Sequence, residues 1–203
     1  MTTATISIYT FADLPTEEAK DKARFWVMEA YSHYDWWDST IDQWKADLEE
    51  TYGIHNPNIL WSGFYSQGDG ACFTGECNIF AFVNRSADHE KPLFAKVLAE
   101  IEENGLSPVV NLERFTHHYQ HHMTIHAHYE DFHSLEEQDE MEALTQSILE
   151  EARALMQKIF VELRDEYEYM CSDEEIAETC AANEYYFNRL GNPIHHLIEE
   201  IAA

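Results

Sequence analysis

A chain that must keep 39 carboxylates in water with only 12 Lys and Arg to pair with them has few ways to fold. An ionised carboxylate without a partner is too costly to bury, so each helix and strand has to leave one side wet. The resulting net charge of -27 repels nucleic acid, anionic membranes and acidic metabolites, and it attracts basic surfaces. A hydrophobic share of 45%, with 11 Phe, 11 Tyr and 5 Trp, suffices for a core and argues against disorder. No run reaches the ~20 apolar residues of a membrane span. The segment Met1-Thr2-Thr3-Ala4-Thr5-Ile6 lacks the basic and apolar regions of a signal peptide. Cys72, Cys77, Cys171 and Cys180 do not have the dense spacing of a secreted disulfide scaffold and read as reduced thiols in a cytosol.

Periodicity supplies the elements. Residues 5–11 alternate and are β-branched or aromatic, which predicts a first strand. Thr16 caps a helical stretch that runs to about residue 51, with Trp37, Ile41, Trp44 and Leu48 on one stripe. Gly53 and Asn56-Pro57 close it. Residues 59–65 and 71–77 read as strands around the turn Gln67-Gly68-Asp69-Gly70, and 92–103 reads as a helix ended by Asn104-Gly105. If a strand carries Cys72 and Cys77, their odd separation turns them to opposite faces. A second hairpin spans 109–117 and 122–130 with its turn near Gln120-His121, so residue 117 faces 124. On its second strand Met123, Ile125, Ala127 and Tyr129 alternate with Thr124, His126, His128 and Glu130, the pattern of one face in and one face out. Ser134-Leu135-Glu136-Glu137 is a capping box before a long helix with Met141, Leu144, Ile148, Leu155 and Ile159 on its buried face. Ser172 to Glu175 repeats the box. The expectation is an α+β fold: a mainly antiparallel sheet of about five strands packed with long amphipathic helices. It forms one domain over residues 1–190, with a short tail at 191–203.

The run Trp61-Ser62-Gly63-Phe64-Tyr65-Ser66-Gln67-Gly68-Asp69-Gly70-Ala71-Cys72-Phe73 resembles a group of phage and prophage proteins that share W-S-G-F-x-S-Q-G-D-G-A-x-F. Glu166-Tyr167-Glu168-Tyr169, Ser172-Asp173-Glu174 and Ala182-Asn183-Glu184-Tyr185 are similar to the same group. The resemblance implies a phage origin and an antitoxin-like or uncharacterised role. The histidine-crowded second hairpin and the ending from Gly191 to Ala203 depart from it.

Three constellations are candidates for function. His117, His122, His126 and His128 fall on one face of the predicted hairpin, with Cβ atoms ~5 Å apart across strands. Neutral imidazoles so placed suit Zn or another divalent metal, and the bland reading is a polar face in water. The motif loop offers Ser66, Gln67 and Asp69, with Asp69 a candidate base, although its glycines are explained more simply by the reversal. Glu136, Glu137, Asp139, Glu140 and Glu142 crowd the start of the long helix. Carboxylates on successive turns lie ~5–6 Å apart, close to the spacing of neighbouring phosphates.

The function expected from charge and resemblance is non-enzymatic. An acidic phage protein in the host cytoplasm would bind and inhibit a basic, nucleic-acid-binding host or phage protein, as a DNA mimic that does not itself bind DNA or membrane. The alternatives are a metal-dependent enzyme or metal-binding module built on the His hairpin, and an antitoxin against a basic toxin.

Overall fold

A computed structural model describes residues 7–31, 35–85, 92–106, 108–129 and 138–194. The elements run α1 (Glu17–Tyr31), α2 (Asp38–Glu50), β1 (Ile54–Ser62), β2 (Gly70–Asn78), α3 (Ile79–Arg85) and α4 (Pro92–Asn104). They continue with β3 (Val109–Arg114), a 3-10 turn at His122–Thr124, β4 (Ile125–Tyr129), α5 (Gln138–Met170) and α6 (Asp173–Ala182). The chain divides into two compact units, one of residues 37–164 and one of both ends, 1–36 with 165–203. No helix among the described residues is long and apolar enough to cross a membrane.

The 37–164 unit holds a four-stranded antiparallel sheet in the order β1-β2-β3-β4, so the α+β class stands with one strand fewer than expected. Of the predicted strand at 5–11, the described residues 7–11 do not join this sheet. Residues 5 and 6 lie outside the described residues, and Tyr9 makes only an isolated antiparallel bridge to Phe187. Tyr9 and Phe187 exchange both backbone hydrogen bonds at 2.9 Å, and Phe11 buries its ring, so the alternating stretch anchors the unit of the chain ends.

The first strand starts earlier than its sequence suggests because it absorbs the Asn56-Pro57 pair. A bulge between His55 and Asn58, with Asn56 at φ +52°, lets the edge strand β1 bend around a proline. The second hairpin is shorter than expected. Arg114 faces Ile125, where the sequence predicted 117 facing 124, because residues 115–121 leave the ladder as a loop. The slip is an even number of residues, so side chains within the ladder keep their face. Met123 and Thr124 fall in the 3-10 turn and exchange the expected exposure, Met123 exposed and Thr124 buried.

Cores follow from the two periodicities. Ile59, Phe73, Cys77, Val110, Leu112 and Ile125 are buried on one face of the sheet. On α5, Met141, Leu144, Ile148, Leu155 and Ile159 are buried as their spacing predicts. Phe160 meets Phe64 at 5.7 Å, and Arg153 Nη2 donates to the Ile125 carbonyl at 2.7 Å, tying α5 to the strands. Ile41 and Leu48 of α2 are buried, Trp37 sits edge-on to Trp61 at 5.3 Å, and Trp44 Nε1 donates to Glu162 at 2.8 Å. The helix α3 was not legible, since Ile79 to Val83 is an unbroken apolar run too short to show a period. Asn78 Oδ1 caps it by accepting from Ala81 N at 3.1 Å.

The unit of the chain ends packs Phe11, Leu14, Ala23, Val27, Ile176 and Phe187 together. Ser172 caps α6 by accepting from Glu175 N at 3.3 Å, as its capping box predicts. The box at Ser134–Glu137 lies outside the described residues.

Removing the ring at the centre of the sheet isolates this packing. Phe73 is 0% exposed and Phe115 is 65% exposed. Phe73→Ala is expected to cost about 3–5 kcal/mol in urea denaturation, and Phe115→Ala less than about 0.5 kcal/mol.

Candidate functional site

Strand alternation gives the sheet a second face that is largely polar, apart from buried Cys72 and half-buried Leu60 at one end. Asn58, Thr74, Glu76, Asn111, Glu113, His126 and His128 lie on it, all exposed or half-buried. A cavity of about 580 Å³ sits over this face, lined among others by Asn58, Thr74, Glu76, Asn111, Glu113, Arg114 and His117.

At the β3–β4 side three metal-ligating groups converge. Glu113 and His126 are direct cross-strand partners, and His128 lies opposite Asn111 on the same face. One ligand atom from each of Glu113, His126 and His128 lies within 4.8 Å of the others. His128 Nε2 is 3.9 Å from Glu113 Oε1. The two imidazoles are near-parallel, at 23° with centroids 5.6 Å apart. Nδ1 of both rings is buried with no hydrogen-bond partner among the described residues.

The predicted histidine set is brought together only in part. His126 and His128 meet, but His117 is exposed in the loop after β3, at the rim of the cavity. His122 sits in the 3-10 turn, where its Nε2 is 3.1 Å from Gln157 Nε2 and its ring lies 4.0 Å from that of His121. Burial, then the neighbouring His121 and Arg153, pull its pKa below the usual value. Both misplacements have one cause: strand parity was extended into residues that form a loop. Glu130 lies outside the described residues. Glu113 is the carboxylate beside the two imidazoles, and it faces His126 from the neighbouring strand.

The cysteines add no ligand here. All four are free, and Cys72 and Cys77 are buried on opposite faces of β2 as their spacing predicts. Burial raises the Cys72 thiol and pushes Cys77 up to about 12, which keeps both protonated. A thiol binds metal as its thiolate.

The motif loop closes a reversal, and Gln67 and Asp69 also line a cavity of about 720 Å³ beside the β3–β4 loop. Asp69 Oδ2 accepts from Tyr65 N at 3.0 Å and Ser66 N at 2.6 Å, which closes the reversal between β1 and β2. Ser66 and Gln67 are exposed. Gly68 has φ +93°, and a Cβ there would lie 2.6 Å from the Tyr119 ring. A Cβ on Gly70 would lie 2.9 Å from His121 Cδ2. The two glycines therefore clear the space in which the β3–β4 loop rests, and the motif supports the loop leading into His126 and His128. Of the acidic candidates, Asp139 and Glu142 are exposed and Glu140 is half-buried at the start of α5. Glu136 and Glu137 lie outside the described residues.

The family described as Domain of unknown function (DUF8835) matches residues 36–173, more than half of the chain. The chain belongs to this family. The DUF8835 region contains the motif loop, the open sheet face and the Glu113–His126–His128 cluster. No curated protein and no solved structure matches the chain.

Close packing of the motif loop against the β3–β4 loop has a measurable signature. Gly68→Ala is expected to cost about 1–3 kcal/mol in urea denaturation. Adding Tyr119→Ala should return part of that loss, because the ring that the new methyl strikes is gone. Strict additivity of the two substitutions would contradict the contact.

Proposed function

We propose that this protein is a binding module for a divalent transition-metal ion, held by Glu113, His126 and His128. The observation that carries this reading is the convergence of two imidazoles and one carboxylate within 4.8 Å on adjacent strands of a solvent-facing sheet. Imidazole and carboxylate together suit Zn²⁺ and its neighbours in the first transition row. Two His and one Glu are a donor set found at zinc centres that keep an open position. Bonds of ~2.0–2.2 Å place tetrahedral donors ~3.4 Å apart. The 3.9 Å between His128 Nε2 and Glu113 Oε1 closes to that spacing by a small rotation of the exposed Glu113 side chain.

Calorimetric titration with Zn²⁺ checks it. One site of submicromolar affinity is expected, and Glu113→Gln, His126→Ala and His128→Ala should each weaken it at least about 100-fold. His117→Ala and His122→Gln should change it little. Weak, multi-site binding indifferent to all five substitutions would overturn the assignment.

A second reading concerns the charge. We propose that the protein, of phage origin by its resemblance, docks on a basic host or phage protein in the host cytoplasm. It would occupy that protein's nucleic-acid groove or act as an antitoxin. The supporting observation is that many described cations are neutralised internally. Arg24 pairs with Asp173, Asp21 and Glu17, Lys20 with Asp173, Lys45 with Asp42 and Arg85 with Glu151. The carboxylate surplus is left to dominate the surface field. Host proteins captured by this chain should be released by salt. They should also be lost from the Asp139→Lys, Glu140→Lys, Glu142→Lys triple variant, yet retained by a scattered triple at Glu49, Glu102 and Glu174. Equal capture by both triples would contradict a patterned surface.

A further inference from the structure

We infer that an ion at Glu113, His126 and His128 keeps coordination positions open toward the cavity over the sheet. These positions would take a small molecule that joins an oxygen donor for the metal to an amino group for Glu76. The inference rests on the metal-binding reading and specifies what that site receives.

The first part follows from where the donors stand. Glu113 and His126 are paired across β3 and β4, and His128 is two residues along β4. Side chains rising from one face of two neighbouring strands reach an ion from one side only. Zinc completes four positions and other divalent ions up to six, so at least one position points away from the strands. Glu113 also lines the cavity of about 580 Å³, whose lining includes neither His126 nor His128, so the cavity adjoins the ion on its Glu113 side.

The second part follows from the register. His128 lies opposite Asn111, and Asn111 lies opposite Glu76, which makes one row across β4, β3 and β2. Neighbouring strands are ~4.8 Å apart, so the row places Glu76 and His128 on backbones ~10 Å apart. After Glu113 is committed to the ion, Glu76 is the carboxylate left in the cavity lining, with Asn58, Thr74 and Asn111 as neutral hydrogen-bonding groups. Arg114 and His117 also line the cavity, and Arg114 Nη2 is committed to the Tyr119 carbonyl at 3.2 Å. A ligand with an oxygen donor at one end and an ammonium a few bonds away fits between the ion and Glu76. A compact dianion meets Glu76 and the overall charge of -27.

The test uses the full chain loaded with cobalt(II), whose visible spectrum reports its ligands. Glycine hydroxamate, acetohydroxamate and oxalate are titrated in turn, and protein-bound cobalt is measured after desalting. Both hydroxamates should change the spectrum of cobalt that remains bound. Glycine hydroxamate should bind about tenfold more tightly than acetohydroxamate, and oxalate more weakly than either. Glu76→Gln should erase the advantage of the amine. A stoichiometric cobalt complex whose spectrum no probe alters would overturn the inference while leaving the metal site standing. Equal affinity for the two hydroxamates would overturn the role of Glu76. Failure to bind cobalt at all would remove the metal reading and this inference with it.

Discussion

The register of β3 against β4 is the constraint on which the site depends. Val110, Leu112 and Ile125 are at most 1% exposed, and all three point to the same side of the sheet. A slip of one residue would turn these side chains into water and drive Glu113, His126 and His128 into the core. Each buried aliphatic side chain is worth about 1.5–3 kcal/mol, and an unpaired buried carboxylate costs more, so both effects select the same register. The apolar face thus fixes which polar groups meet on the opposite face. That convergence is a consequence of burial elsewhere in the sheet.

What was legible in the sequence is what has a period. The stripe on α5 from Met141 to Ile159 identified its element and buried face, and the alternation from Ile125 to Tyr129 identified a strand. The α+β class followed from them. What was not legible depends on tertiary context. Asn56 and Pro57 are ordinary loop residues by type, and only an edge strand with a bulge gives them a place inside β1. The alternation of residues 5–11 is real, yet Tyr9 spends it on a single bridge to Phe187, a partner far along the chain. At the site, His126 and His128 were visible as an H-x-H pair. Glu113 was hidden because a lone Glu in an acidic chain carries no signal until its cross-strand partner is known. His117 and His122 looked equivalent to the others because parity cannot report where a strand ends.

The motif loop and the histidine loop are one physical object. Asp69 ties down the reversal between β1 and β2, and the missing side chains at Gly68 and Gly70 leave room for Tyr119 and His121. A loop held from below in this way delivers β4 into the sheet at a defined residue. The most recognisable sequence signature of the chain therefore packs against the loop that leads into His126 and His128. The acidic surplus acts differently: screened beyond ~8 Å at physiological ionic strength, it biases which ligands and partners approach.

The direct test of the central claim is X-ray absorption at the zinc edge on the zinc-loaded full chain. The account predicts a shell of nitrogen and oxygen at about 2.0–2.2 Å with the multiple-scattering pattern of two imidazoles, reduced to one in His126→Ala. A shell of oxygen alone, or one containing sulfur at about 2.3 Å, would contradict it.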